Sequence, residues 1–448
     1  MTVPFPLFSQ VASRGDDSAM RRIAMLSVHT CPMAALGGKE TGGMNVYVRE
    51  LSRELGAQGL IVDIYTRSQD PARERVRELW PNVRVIHLPA GPERPYAKHL
   101  VYNHLPQFIA GLREFAAAEG VAYDLIHSHY WLSGWVAREL AREWALPTVH
   151  TFHTLGRMKD AVARSETEKE HSTRIAVEDE LMRDMQRIVA ATRLDKAQMT
   201  ELYGADPRKI KVIPPGVDLT LFRPIPRDEA KAAIGLDLPK DCHLILFVGR
   251  MDPVKGLDTL LRAICKLSEL QPDLAKNLCL AVIGGDVDEN DSESNNMLEC
   301  LEKLKHEVGI DNLVAFLGSR TQDTLPYYYS AAEVCVMPSY YESFGLVALE
   351  AMACGTPVLA SRVGGLQTTV EDGVTGLLTP AGDVDALAQG LATLLLDSDF
   401  RQRLASNARR RAAAYTWKAV AERIVSLYEE LWHKKQQRKL HRQPARAW

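Results

Sequence analysis

The sequence predicts an α/β protein built from two doubly wound, Rossmann-like domains facing each other across a cleft. Three observations lead there. Short apolar runs of strand length alternate with helical stretches. The alternation halts at a proline-rich segment, Ile213-Pro214-Pro215-Gly216, and then starts again. Charged residues suited to phosphates and hydroxyls follow directly after strand-like runs, where open α/β sheets bind ligands.

Taken in order, Arg22–Val28 (RIAMLSV) reads as a buried strand and Asn45–Gln58 as a helix, followed by strands at Ile61–Tyr65, Val83–Leu88, Leu125–His127 and Thr148–Thr151. Each is an apolar run bounded by turn residues, the pattern of a parallel sheet covered on both faces. The hinge closes near Phe222-Arg223-Pro224. Strands then recur at His243–Val248, Leu278–Ile283, Leu313–Leu317, Val334–Met337 and Val358–Ala360. A last helix, from about Thr416 to Trp432, carries Trp417, Ile424, Leu427, Tyr428 and Leu431 at helical spacing and must pack on something. The domains expected are therefore 20–215, 216–415 and a helix at 416–434 that packs back on the first domain. The basic remainder, 435–448, is poor in core residues and is expected to lack structure.

Composition narrows the function. The 448 residues are 46% hydrophobic and 25% charged, with a net charge of −3, which argues against a general nucleic-acid binder. No apolar run approaches the roughly twenty residues that span a membrane, and the first twenty residues lack a signal-peptide core. A cytoplasmic protein without membrane contact is expected. Seven scattered cysteines, an odd number, read as reduced thiols, neither a disulfide frame nor a zinc site.

Four residues carry the clearest chemistry. Arg250 and Lys255 lie in LILFVGRMDPVKG, just past a strand-like run, and Glu342 and Glu350 lie in YYESFGLVALEAMACGTP. Fixed cations in a water-poor cleft stabilise the charge that builds on a leaving diphosphate. Ionised carboxylates accept hydrogen bonds from ribose and hexose hydroxyls and so orient them. Between the two glutamates, an apolar run opened by Gly345 and ended by Gly355 reads as a helix whose first amides can hold phosphate. Any such pair could be solvated surface charge; their placement after strands favours a nucleoside diphosphate carrying a sugar. The loop Gly37–Asn45 (GGKETGGMN) opens a helix, and its glycines let backbone amides approach an anion, as they also would in a dinucleotide enzyme. No G-x-G-x-x-G occurs there.

Together GGMNVYV, HSHYWLSG, VGRMDPVKG and SYYESFGLVALEAMACGTP resemble the retaining family 4 glycosyltransferases, which have the two-domain GT-B fold. The likeness runs from about Arg22 to Trp432. Within that family the chain is similar to two groups, the inositol-phosphate glycosyltransferases of mycothiol biosynthesis and the sucrose-phosphate synthases. Both move a sugar from UDP to a phosphorylated acceptor. The resemblance implies that Gly43 lies against the donor diphosphate together with Arg250 and Lys255. It implies that Glu342 faces the sugar, that Glu350 faces the ribose, and that Arg320, in FLGSRTQDTLP, frames the uracil. His153, in VHTFHTLG, is placed by it against the donor sugar near the reacting carbon, which makes Arg250, Lys255, His153 and Glu342 the catalytic set.

On the acceptor side the likeness implies His29, Asn45, Lys98, Tyr130, Thr154 and Arg174. Two cations and two hydroxyls from four segments suit a phosphate monoester. No general base is assigned, since the family is thought to react on one face of the sugar, the leaving phosphate oxygen taking the acceptor's proton. The acidic stretch Asp286–Asp291 reads as a solvated loop. No metal ligands are assigned and no cofactor is required, a divalent ion such as magnesium being optional.

Other readings remain on the table. A sugar-nucleotide epimerase would not need Lys98 and Arg174. A pyridoxal-phosphate phosphorylase would need a Schiff-base lysine. A non-catalytic sugar-nucleotide-binding protein would have no reason to keep both cations and both carboxylates. Between the two groups, GGMN at Gly42–Asn45 leans to the inositol-phosphate type and His153-Thr154-Leu155-Gly156 to the synthases, while Ala35-Leu36, where the mycothiol enzymes tend to carry Gln-Pro, speaks against an N-acetylglucosamine donor. Closure of the domains about Pro214–Asp218 is expected to bring the two substrates together. A homodimer is compatible with all of this.

Overall fold

The computed structural model describes residues 20–35, 41–236, 242–285 and 292–442. Part of the glycine loop (36–40) and the acidic stretch Asp286–Asp291 therefore lie outside the described residues.

The first sheet holds β1 (Arg22–Leu26), β2 (Ile61–Arg67), β3 (Val76–Trp80), β4 (Val83–Leu88), β5 (Leu125–His129), β6 (Thr148–Thr151), β7 (Arg187–Ala190) and β8 (Ile210–Val212). Their order is β3-β4-β2-β1-β5-β6-β7-β8, parallel throughout except for the edge strand β3. The second sheet holds β9 (His243–Val248), β10 (Leu278–Ile283), β11 (Val314–Phe316), β12 (Val334–Met337), β13 (Val358–Ser361) and β14 (Gly376–Thr379), in the order β11-β10-β9-β12-β13-β14. That is the doubly wound order, with its direction reversing between β9 and β12. In the first sheet the reversal falls between β1 and β5. Ligand crevices open at such points, beyond the carboxyl ends of the strands.

The parallel strands are buried because helices cover both faces, so β1, β9 and β10 read as largely apolar runs. Four strands did not stand out in the sequence. Strand β3 has no buried residue, only half-buried and exposed ones, and pairs as an antiparallel edge through a turn in which Asn82 takes a positive φ of 65°. Strands β7, β8 and β14 have three or four residues each.

The chain crosses between the domains twice, side by side. Val217 N–H donates to Tyr415 O at 2.8 Å, and a Cβ on Gly216 would stand 2.6 Å from Trp417 N, so only glycine permits the approach. The final helix, Trp417–Arg442, lies on the first domain. Trp417, Ile424, Leu427, Tyr428 and Leu431 join the cluster of Ile23, Met25, Leu51 and Val149. Residues 435–442, expected to lack structure, continue this helix. Lysine, glutamine, arginine and leucine are good helix formers, and extending an anchored helix avoids the cost of nucleation. The cysteines described are all free thiols, with Cys335 and Cys354 buried.

Candidate active site

Two adjoining cavities lie in the cleft, of about 280 and 150 Å³. They share one wall: Gly42 and Gly43 from the first domain, and Arg250, Lys255, Met337 and Leu346 from the second. Gly43 starts the helix Gly43–Ala57, and a Cβ on it would lie 3.3 Å from Leu346 Cδ1 across the cleft. Leu346 opens the helix Leu346–Ala353, entered through Gly345 at φ 89°, so its first amides face the same junction. The expected diphosphate residues thus meet at the neck joining two compartments.

The smaller compartment is mostly apolar, with Phe247, Ile283 and Leu325 in its wall, and Arg320 and Glu350 at its polar end. Gly284, at φ 126°, lies so close to β9 that a Cβ would stand 1.8 Å from Gly249 O. Arg320, in the wall of this cavity, donates to Tyr328 Oη at 2.9 Å and to Ser319 O at 2.8 Å. Glu350 is buried and accepts from Tyr329 Oη at 2.9 Å. Burial raises its carboxyl to about 7, against smaller opposing effects of Tyr329, Gln322 and Arg49. Arg49, on the first domain's helix, bonds to Gln322 on the second.

In the larger compartment, Lys255 Nζ lies 2.5 Å from Glu342 Oε2, and Arg250 pairs with Asp252 at 3.4 Å. Burial alone would raise the Asp252 carboxyl, but Arg250 and then Lys159 hold it below its ordinary value. Glu342 is fixed from behind: its carbonyl accepts from Gly365 N–H at 2.8 Å, and a Cβ on Gly364 would meet that oxygen at 2.0 Å.

The opposite wall is built by the first domain. Arg174, 2% exposed, donates to Tyr130 Oη at 3.1 Å, to Thr154 O and Oγ1 at 2.9 and 3.1 Å, and to Glu178 at 2.7 Å. Its guanidinium also lies over the Tyr130 ring. Three of the four phosphate candidates therefore form one bonded unit, and Lys98 lines the same cavity. Since Thr154 Oγ1 accepts from Arg174, its own proton is left to donate to a ligand.

Glu170, which sequence reasoning missed, accepts from Lys159 Nζ at 2.5 Å and pairs with Arg174 at 2.9 Å. Burial would raise this carboxyl, yet Arg174, Lys159 and Lys98 together pull it to about 2. The carboxylate therefore stays charged among these three cations. Glu170 and Glu178 stand four residues on either side of Arg174, a spacing that could have flagged them.

Asn45 is 1% exposed and donates to Thr30 Oγ1 and Cys31 O while accepting from Gly42 N–H at 2.9 Å. Its amide shapes the loop beneath the cavity. His29 lies against Tyr130, ring centroids 4.5 Å apart, and its Nδ1 is buried with no protein partner. Burial, then the neighbouring basic groups Lys98, His153, Arg174 and Arg250, keep it neutral. His153 sits at φ 63° and Tyr130 at φ 73°, at the ends of β6 and β5. Left-handed backbone at bulky residues costs about 1–3 kcal/mol each and concentrates where function needs it. Burial lowers the His153 imidazole to about 3, so it faces the cavity uncharged. Among the described residues no group of His, Cys, Asp or Glu could hold a metal ion, and no helix is long and apolar enough to cross a membrane.

Comparison with known proteins places this arrangement. Residues 41–221 match the family described as Glycosyltransferase Family 4, and residues 228–411 that described as Glycosyl transferases group 1. The chain belongs to these glycosyltransferases. It is 40% identical to D-inositol 3-phosphate glycosyltransferase of Saccharomonospora viridis, over 92% of this chain and 94% of that one. Sucrose-phosphate synthase from Thermosynechococcus elongatus superposes with a TM-score of 0.85 at 37% identity, covering 92% of this chain and all of that one (100%). Anabaena HepE, solved in complex with UDP-glucose, shares the fold at 21% identity and a TM-score of 0.71, with 92% and 100% of the two chains covered. These relatives are GT-B glycosyltransferases, the fold class that the two facing sheets define.

Proposed function

We propose that the protein moves a hexosyl group from a UDP-sugar to a phosphorylated acceptor, inositol phosphate in the first place, with retention at the anomeric carbon. The observation that carries this reading is that the Tyr130–Thr154–Arg174 unit and the Lys255–Glu342 pair line one cavity. The apolar compartment with Glu350 takes the nucleoside, the neck takes the diphosphate, and the larger compartment takes the sugar and the acceptor. The bond from the anomeric carbon to the diphosphate breaks, and a bond to an acceptor hydroxyl oxygen forms on the same face. The hydroxyl proton passes to the leaving phosphate oxygen. Arg250 and Lys255 stabilise the charge that develops there, and Glu342 and neutral His153 hold sugar hydroxyls. With two cations at the neck, this reading requires no divalent ion.

Fructose 6-phosphate is the second reading, favoured by the likeness to the sucrose-phosphate synthase structure. The two share donor and chemistry and differ in the acceptor. Incubation with a panel of UDP-sugars against inositol phosphate and fructose 6-phosphate, read by product mass, separates them. NMR of the new glycosidic bond tests retention: an inverted anomer removes the proposed mechanism.

A further inference from the structure

The alternation His127-Ser128-His129 puts two imidazoles on one face of β5, and both are buried. His129 Nε2 lies 2.8 Å from Met25 Sδ, and His129 Nδ1 lies 2.9 Å from His153 Nε2. A thioether has no proton to give and is only a weak acceptor, so the nitrogen facing it must carry the hydrogen. A neutral imidazole has one N–H, which leaves His129 Nδ1 as a lone pair. That lone pair needs a donor, and the group facing it is His153 Nε2. The His153 proton is thereby fixed on Nε2, and its Nδ1 becomes an acceptor. Its ring is held there between Tyr47, edge-on at 5.0 Å, and His129, stacked at 5.1 Å.

We propose that His129, oriented by Met25, is a positioning residue that sets His153 as a hydrogen-bond acceptor in the cleft, so that a ligand atom meeting Nδ1 must be a hydroxyl or other donor. A sugar hydroxyl satisfies this, and a carboxylate or ether oxygen does not. The inference about the ligand rests on the glycosyl-transfer reading above; the tautomer assignment does not.

The test uses the full chain labelled with 15N-histidine, without substrate, and two-bond proton–nitrogen correlation spectra. His153 signals are assigned by their loss in His153→Gln. Expected are a protonated Nε2 and an unprotonated Nδ1 for both His129 and His153. A proton on His153 Nδ1 overturns the proposal, whatever the enzyme's substrate. Met25→Leu keeps the core volume but removes the sulfur. In that variant a second His153 tautomer should appear, and kcat should fall about fivefold, the value of one hydrogen bond, with the acceptor KM unchanged. Tautomers and kcat both unchanged in Met25→Leu would remove Met25 and His129 from the positioning role.

Discussion

Lys255 Nζ, in the wall shared by the two cavities, stands 2.5 Å from Glu342 Oε2 in the larger one. The carboxylate holds the ammonium in place, and the ammonium in turn fixes the carboxylate in the wall of the larger cavity. Replacing Lys255 by alanine removes charge where it matters only as the bond breaks. We expect kcat to fall about 100-fold or more while the acceptor KM moves less than about threefold. Steady-state release of UDP measures both. Equal turnover in variant and wild type contradicts the role.

Thr154→Val deletes a hydroxyl whose acceptor side is already taken by Arg174. The lost donor should raise the KM for a phosphorylated acceptor about tenfold, leaving the donor KM unchanged. An unchanged acceptor KM removes Thr154 from the phosphate site.

Glu170→Gln takes away the anion held among Lys98, Lys159 and Arg174. The cations then lose one of their counter-charges, Glu178 remaining on Arg174, so Tm should fall, while inorganic phosphate should bind more tightly. Isothermal titration with phosphate reads the second effect, and weaker binding than wild type counts against the site.

Glu350 gives a pH signature. Its carboxyl titrates near 7 in the folded chain against an ordinary value of 4.5, so between these values the unfolded chain has lost a proton that the native chain keeps. Stability contributed by this group is therefore whole below pH 4.5 and declines as pH rises to 7, by roughly 3 kcal/mol. Glu350→Gln should raise Tm above wild type at pH 8 and leave it nearly equal at pH 4.5. Affinity for UDP should move the other way in wild type, rising through pH 7 as the ionised carboxylate becomes able to accept ribose hydroxyls.

Gly43→Ala and Gly284→Ala separate cleft from fold. A methyl at Gly43 meets the mobile end of Leu346, so Tm should hold while the neck narrows and the donor KM rises severalfold. At Gly284 the methyl meets backbone at a positive φ, so Tm itself should fall. Differential scanning fluorimetry beside kinetics distinguishes the two.

Strands such as β1, β9 and β10 were legible because a parallel strand covered on both faces must be apolar along its length. The edge strand β3 and the short β7, β8 and β14 carry no such signature. Arg250, Lys255 and Glu342 stood out because each lies shortly past a strand-like run, and Glu350 because it sits on the glycine-opened helix that follows. Tyr130, Thr154 and Arg174 could not be joined from sequence alone, since their bonds link residues 20 to 44 positions apart. The neutral state of His153 and the charge of Glu170 depend on burial and neighbours that only the folded chain supplies. The run KKQQRKLH misled for another reason: composition reports the lack of a core, whereas the helix there extends one already anchored.

On the proposed function, one cavity holds a sugar nucleotide against an acceptor recognised by its phosphate. The most direct measurement of this is product mass from a UDP-sugar offered inositol phosphate or fructose 6-phosphate, each beside its dephosphorylated form. The expected result is a glycosylated phosphate ester from a phosphorylated acceptor and negligible product from the same acceptor without phosphate. Equal transfer to free inositol or fructose would contradict it.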